Sequence, residues 1–190
     1  TDLLKHTFQF ITTNQIDQSY EDKIMNRLLF HYKHHTETLA EDLDQLGYSK
    51  DAELGIITCT TTASKNNIER YIPLINRVFQ RRYKRTMTLK HRNYLIFLID
   101  RAEVQTPQTP FSKTVEEIYE QVIQQNGELD LIIGMGNFYQ NLSKLQDSYD
   151  ESLTVIQLAQ LHNNRYLYKH KETGAYKIIM GVQDRTTIEK

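Results

Sequence analysis

Two glycines provide the first place in this sequence where chemistry could occur. Gly134 and Gly136 follow an apolar run and precede a stretch with helical spacing that begins near Asn141. Glycines between a strand and a helix let a backbone approach a pyrophosphate, and the N-terminus of the following helix favours an anion. Tyr139 stands where a dinucleotide-binding motif would have its third glycine. The pattern leaves two interpretations open, a tight turn between strand and helix or a site for an anionic ligand.

A basic cluster forms the second candidate site. Arg81, Arg82 and Arg85 lie close together, with Tyr83 and Lys84 between them. Guanidinium groups at this density can bind a phosphate-bearing ligand or nucleic acid. A charge run at the end of a helix can instead be a solvated face that complements the helix dipole. The sequence favours the solvated face and keeps the ligand as an alternative.

The other reactive side chains stand without partners in the sequence. His31 and His35 have the i, i+4 spacing of a helical zinc site, but no glutamate lies between them and no cysteine is nearby, so we expect them to be solvated. The single cysteine, Cys59, lies in a β-branched run and is predicted to be buried in a strand, in a reducing compartment. We therefore expect no metal, no cofactor and no catalytic residue, and a cytoplasmic location.

The charge balance argues against nucleic acids and membranes as partners of these residues. The chain of 190 residues has 23 basic and 24 acidic side chains and a net charge of -1, so no overall field attracts it to phosphate. No apolar run approaches the roughly 18 residues of a membrane-spanning helix. With 39% hydrophobic residues, the chain can form one good core, which predicts one compact domain with a helical extension.

The first 50 residues predict a helical connector. Ser19 begins a capping box, and Gly47 is a C-terminal stop signal. The apolar spacing between them predicts a helix from Glu21 to Leu46, either continuous or divided near His34. An amphipathic helix outside a sheet needs a partner for its apolar face, so we expect two copies of the chain to pair through this helix.

Residues 51–180 predict one alternating α/β domain. The predicted elements are a strand at Leu54–Thr60, a helix from Ile72 into the basic cluster, strands at Thr86–Lys90 and Tyr94–Ile99, a helix at Thr114–Gln125, a strand at Asp130–Gly134, a helix at Asn141–Leu161 and a strand at Tyr166–Tyr168. This order predicts an α+β fold of the ferredoxin-like kind, the mixed sheet with packed helices found in the palm of nucleotidyl cyclases. Residues 181–190 are predicted to be a tail that leads to a further C-terminal region.

The metal-binding carboxylates of a cyclase are missing from their expected positions. Phosphoryl transfer on this architecture needs two divalent metals held by carboxylates of the first strand and the central hairpin. The first strand, Ile56–Thr60, has no carboxylate, and the hairpin turn reads His91-Arg92-Asn93. Arg92 would also repel divalent cations. We therefore predict that this domain is not an enzyme.

Four motifs occur in order in the second half of the chain. They are the turn Gly134-Met135-Gly136, the leucine pair Leu142 and Leu145, the helical motif Ser148–Leu153 and the closing strand Tyr166–Tyr168. Together they resemble the GGDEF-like domain of PucR/CdaR-type bacterial transcriptional regulators, which are associated with purine catabolism and sugar diacids. The resemblance covers roughly residues 24–180. Ser152 stands where that family usually has alanine.

The resemblance implies a non-catalytic regulatory domain. Such a domain relays a signal, or supports dimerisation, for a helix-turn-helix DNA-binding domain outside these 190 residues. The partners implied are a second copy of the chain and a small-molecule effector. The alternative function is a sensor that binds a small anionic metabolite or nucleotide. Its candidate residues are Gly134, Gly136, Asn141, Arg81, Arg82 and Arg85.

Overall fold

The fold is built around one five-stranded sheet. A computed structural model describes residues 20–31, 36–61, 68–104, 111–125, 130–161 and 168–169. The strands are β1 (Leu54–Thr61), β2 (Thr86–His91), β3 (Tyr94–Asp100), β4 (Leu131–Met135) and β5 (Tyr168–Lys169). The helices are α1 (20–30), α2 (Thr36–Gln45), α3 (Ile72–Arg82), α4 (Arg101–Val104), α5 (Phe111–Gln125) and α6 (Leu145–Leu161), and 3-10 turns lie at Ile68–Tyr71 and Leu142–Lys144.

The strand order confirms the predicted ferredoxin-like arrangement. The sheet runs β2-β3-β1-β4-β5, with β1 at its centre. The first four strands pair antiparallel, and β5 adds to β4 in parallel. Helix α3 connects β1 to β2, and α5 connects β3 to β4. This is the predicted order of strands and helices, extended by α6 and β5.

Helices cover both faces of the sheet. On one face, α3 and α5 bury Ile75, Phe79 and Ile118 against the strands, and the ring of Phe79 stacks on Phe97 of β3 at 3.8 Å between centroids. The other face carries α1, α2 and α6. Because both faces are covered, β1 is buried along nearly its whole length, as its run of β-branched residues predicts. Cys59 is fully buried there, as predicted.

The N-terminal helices are part of the core rather than free of it. Ile24 and Leu28 of α1 and Leu39 of α2 are fully buried in one cluster with sheet residues such as Ile96 and Leu98. The expectation of an uncovered apolar face is therefore wrong for the described parts of these helices. Of the two forms left open, the structure has two helices, because the chain leaves the helical conformation at residue 31. The predicted cap Ser19 and the junction residues 32–35 lie outside the described residues.

Several predicted boundaries differ from the structure. Helix α5 begins at Phe111, so the predicted capping box at Thr114 is wrong, since that residue lies inside the helix. A 3-10 turn precedes α6, which begins at Leu145 rather than Asn141. The hairpin turn contains two residues rather than three, because His91 still pairs with β3. The described part of the last strand is Tyr168–Lys169, and residues 166–167 of the prediction are outside the described part of the chain. Within the described part, no helix has the length and apolar character needed to span a membrane.

Candidate functional site

The end of β1 meets the β2–β3 turn at the position where a cyclase would hold its metals. The Thr60 hydroxyl donates a hydrogen bond to the carbonyl of Asn93, at 2.9 Å. Arg92 is exposed beside it and has φ 54, in the left-handed region that favours glycine. Divalent cations prefer carboxylate and carbonyl oxygens, and β1 has no carboxylate anywhere along its length. The residues present at this end of the sheet do not fit a two-metal centre.

Gly134 and Gly136 lie directly under α6. A Cβ atom added to Gly134 would lie 2.8 Å from Cγ1 of Ile156, and one added to Gly136 would lie 2.7 Å from the carbonyl carbon of Ser148. Real Cβ atoms essentially never approach other heavy atoms within 3.0 Å. The two glycines therefore allow the backbone of α6 to pack against β4. This geometry favours the packing interpretation of the glycine turn.

The Ser148 hydroxyl bridges β1 and the loop after β4, where the pairing of the two strands ends. The β1–β4 ladder ends with Ile57 opposite Met135. Beyond it, the Ile56 amide donates to Oγ of Ser148 at 2.9 Å, and Oγ donates to the carbonyl of Asn137 at 2.8 Å. A buried backbone amide without a partner is costly, so a side chain from α6 replaces the missing strand partner. This hydroxyl explains the serine of the motif that begins at residue 148.

The same side of α6 makes a second buried contact with β1 one turn later. Oγ of Ser152 lies 2.7 Å from Oγ1 of Thr58, and both residues are fully buried. Ser152 donates its proton to the carbonyl of Tyr149 at 2.7 Å. Since a hydroxyl has one proton, Thr58 is the donor in the contact between the two side chains. The serine that departs from the usual alanine is thus matched by a threonine on β1.

Glu151 fixes the loop between β4 and α6. One carboxylate oxygen accepts a hydrogen bond from the Asn137 amide at 2.7 Å, and the other accepts from the Tyr139 hydroxyl at 2.8 Å. Desolvation, and then the bond to Glu151, raise the pKa of Tyr139. Tyr139 also pairs with Leu54 through two backbone hydrogen bonds of 2.8 and 2.9 Å. The loop is therefore held from two sides, by β1 and by α6.

Asn141 has a local structural role. Its side chain accepts a hydrogen bond from the Ser143 amide at 2.9 Å and caps the 3-10 turn before α6. An asparagine in this position satisfies one of the free amides at a helix start. The side-chain oxygen near the predicted anion site is thus already used as a cap.

The three candidate arginines do not converge on one point. Arg82 forms an ion pair with Glu117 of α5. Arg85 donates to the carbonyl of Gly47 and lies 3.9 Å from a carboxylate oxygen of Glu103. Arg81 is exposed at the end of α3. The Arg82–Glu117 pair and the glycine turn also belong to opposite faces of the sheet, so the structure does not combine them into one site.

Sequence reasoning did not find the residues that hold this junction together. The contacts of Ser148 and Ser152 with β1 span 92 and 94 residues, and no local pattern encodes them. The spacing of the two serines was the available signal. Residues four apart lie on the same face of a helix, so polar residues at 148 and 152 within an apolar face indicate a buried polar contact.

The fold and this junction define a palm-like domain whose last long helix is locked to the central strand by hydroxyl groups. The family profile described as "GGDEF-like domain" matches residues 32–158, which is more than half of the chain. The chain therefore belongs to the GGDEF-like domain family. No curated protein matches it significantly.

Similarity in fold extends to a solved structure. It is the crystal structure of a regulator of polyketide synthase expression from Bifidobacterium adolescentis, with 14% sequence identity and a TM-score of 0.50. The similarity covers 75% of this chain and 53% of that chain. The present chain thus spans about half the length of that protein. At this identity the similarity shows a shared fold.

Proposed function

We propose that this chain is a non-catalytic regulatory domain of a PucR/CdaR-type transcriptional regulator. In this proposal it passes a signal to a helix-turn-helix DNA-binding domain in another part of the natural protein. It acts in the cytoplasm, and two copies pair. Support comes from membership of the GGDEF-like family and from the similarity in fold to a regulator of polyketide synthase expression.

One observation carries the non-catalytic part of the proposal. Where a cyclase needs carboxylates, β1 and the hairpin turn have a hydroxyl bonded to a carbonyl, Thr60 to Asn93, beside the guanidinium of Arg92. Electrostatic stabilisation of a transferring phosphoryl group requires cations at that point, and a fixed positive side chain opposes their binding. We therefore expect no pyrophosphate release from GTP or ATP with magnesium or manganese. Pyrophosphate release by the wild-type chain that is lost in the Thr60→Val variant would refute the non-catalytic part of the proposal.

A selection of genomic DNA fragments tests the regulatory part. The natural full-length protein should enrich specific fragments, whereas the 190-residue chain alone should enrich none, because its net charge of -1 provides no attraction to phosphate. Failure of the full-length protein to enrich any fragment would remove the transcription-factor proposal. Enrichment by the 190-residue chain would contradict the assignment of DNA binding to another part of the protein.

The proposal keeps the pairing of two copies, but the pairing surface cannot be the apolar face of the N-terminal helix. The sequence argument for pairing through the N-terminal helix required an uncovered apolar face. Ile24, Leu28 and Leu39 are instead buried within the chain. A pair formed through α1 or α2 would have to use their polar faces, or else another surface of the domain.

The sensor alternative remains a prediction with a direct test. An anionic metabolite or nucleotide bound near Gly134–Asn141, or by the arginines at 81, 82 and 85, should raise the melting temperature with the logarithm of its concentration. The internal roles of Gly136, Asn141 and Arg82 leave fewer groups for such a ligand. Thermal shift across a panel of nucleotides, purine intermediates and sugar acids decides the question.

A further inference from the structure

The outer surface of α3 and α5 has two short columns of opposite charge. Arg77 and Arg81 on α3 are one helical turn apart and exposed, and so are Glu116 and Glu120 on α5. Residues at i and i+4 lie on the same face of a helix. Within the part of the chain that the structure describes, none of the four forms an ion pair. Charges of both signs are therefore available on one surface.

The topology fixes how these columns lie relative to each other. Strands β1 and β2 are parallel to each other, and β3 and β4 run the opposite way. The crossover helices α3 and α5 therefore run in opposite directions on the same face. The Arg82–Glu117 ion pair places these two residues at the same height, that is, at the same position along the helix axes. At about 1.5 Å per residue, Arg81 and Glu116 differ in height by roughly 3 Å, as do Arg77 and Glu120.

One symmetry makes this surface complementary to a second copy of itself. A two-fold axis that lies in the interface, parallel to the helices, places α3 of one copy over α5 of the other. This rotation leaves each residue at the same position along the helix direction. Arg77 then faces Glu120 of the second copy, and Arg81 faces Glu116. Offsets of about 3 Å, from the same rise per residue, are within reach of these long side chains. An axis across the helices would instead place α3 on α3 and oppose like charges.

We propose that the α3–α5 surface is where two copies of this chain pair, with α3 of each copy packed antiparallel against α5 of the other about a two-fold axis parallel to the helices. This inference rests on the pairing in the proposed function and names its surface. Two helices about 20 Å long and roughly 8–10 Å apart give a footprint of roughly 400 Å² per copy. The total buried surface of about 800 Å² is below the roughly 1,200–2,000 Å² of stable complexes. The pair is therefore weak, salt-sensitive and dependent on concentration.

Reciprocal charge reversal tests this surface. One variant carries Arg77→Glu with Arg81→Glu, and the other carries Glu116→Lys with Glu120→Lys. Sedimentation equilibrium of the 190-residue chain at low salt, up to millimolar concentration, measures association. Each variant alone should associate about tenfold or more weakly than the wild type, because four attractive contacts become repulsive. An equimolar mixture should recover association, because each reversed column again faces its opposite.

A matched control separates this surface from a general effect of charge. Lys23→Glu with Lys50→Glu changes the net charge by the same amount as the arginine reversal, at exposed positions on the other side of the molecule. This control should leave association unchanged. A wild-type chain that is monomeric at every concentration refutes both the pairing and its surface. A wild-type dimer that both reversals leave intact refutes only the surface. A mixture that fails to associate after each variant has lost association also refutes the proposed symmetry.

Discussion

Replacing Gly136 with alanine decides whether the glycine turn serves packing or ligand binding. The added Cβ would lie 2.7 Å from the carbonyl carbon of Ser148 and closer still to its carbonyl oxygen, both of which belong to the α6 backbone. Gly136 does not have a positive φ, so alanine adds bulk without backbone strain. Helix α6 would have to move away from β4. A glycine kept only for access of a ligand would tolerate this change in the unliganded protein.

The magnitude follows from the groups that must move. Overpacking costs about 1–3 kcal/mol. Movement of α6 also withdraws the Ser148 hydroxyl from the Ile56 amide, and an unsatisfied buried donor costs about 1–3 kcal/mol. The reduced entropy of the unfolded chain returns only about 0.4–1 kcal/mol. We expect a net loss of about 1–6 kcal/mol in the free energy of unfolding, with a midpoint of about 3 kcal/mol, which is a large part of the roughly 5–15 kcal/mol typical of a domain.

Urea denaturation followed by circular dichroism measures this loss. Gly47→Ala is the control for backbone conformation, because Gly47 has φ +84 while its added Cβ would be no closer than 3.8 Å to the nearest side chain. That variant should lose only about 1 kcal/mol. If Gly136→Ala does not fold, Ser148→Ala supplies the comparison, with an expected loss of about 1–3 kcal/mol and no added bulk. A Gly136→Ala chain within about 0.5 kcal/mol of the wild type would refute the close packing of α6.

Three further outcomes follow from the same contacts. Thr58→Val and Ser152→Ala should each lose about 1–2 kcal/mol in urea denaturation. The double variant should lose less than their sum, because the Thr58 hydroxyl that Ser152→Ala alone leaves without its acceptor is then also removed. Glu151→Gln should lose more stability than Tyr139→Phe, since the carboxylate accepts two hydrogen bonds and the phenol donates one of them. Burial raises the pKa of the Cys59 thiol, so the thiol ionises only in the unfolded chain. The contribution of Cys59 to stability should therefore be constant below about pH 8 and decline as the pH rises beyond about 9, by at most about 1.4 kcal/mol per unit, and Cys59→Ala should make the measured decline in this range less steep.

The order of strands and helices could be predicted because each element has a strong local signal. The β-branched run of β1, the proline at the start of α3 and the glycine after α2 each encode one boundary. Gly47 indeed takes a left-handed conformation, and the amide of Tyr48 bonds back to the carbonyl of Leu43, as a helix end of this type requires. These signals involve neighbouring residues only. They therefore give the fold correctly without a structure.

The contacts at the candidate site could not be predicted in the same way. The spacing of Ser148 and Ser152 indicates a buried polar contact but not its partners, which lie 92 and 94 residues away in the sequence. The packing of α1 was missed for a related reason. Periodicity shows that a helix has an apolar face but not which surface covers it. Here the cover is the sheet of the same chain, and the sequence reasoning assigned it to a second copy.

The packing of α1 also bears on how the proposed regulatory domain could respond to a signal. The Phe30 ring of α1 lies 4.8 Å from the His91 ring at the hairpin and 5.7 Å from the Tyr149 ring of α6. Tyr149 sits between Ser148 and Ser152, whose hydroxyls bond to β1. Because packed interiors transmit displacement, a shift of α1 must be accommodated by the hairpin or by α6. In the proposed regulator, the N-terminal helices would then act on the sheet through this aromatic contact, and no bound metal or reacting group would be needed.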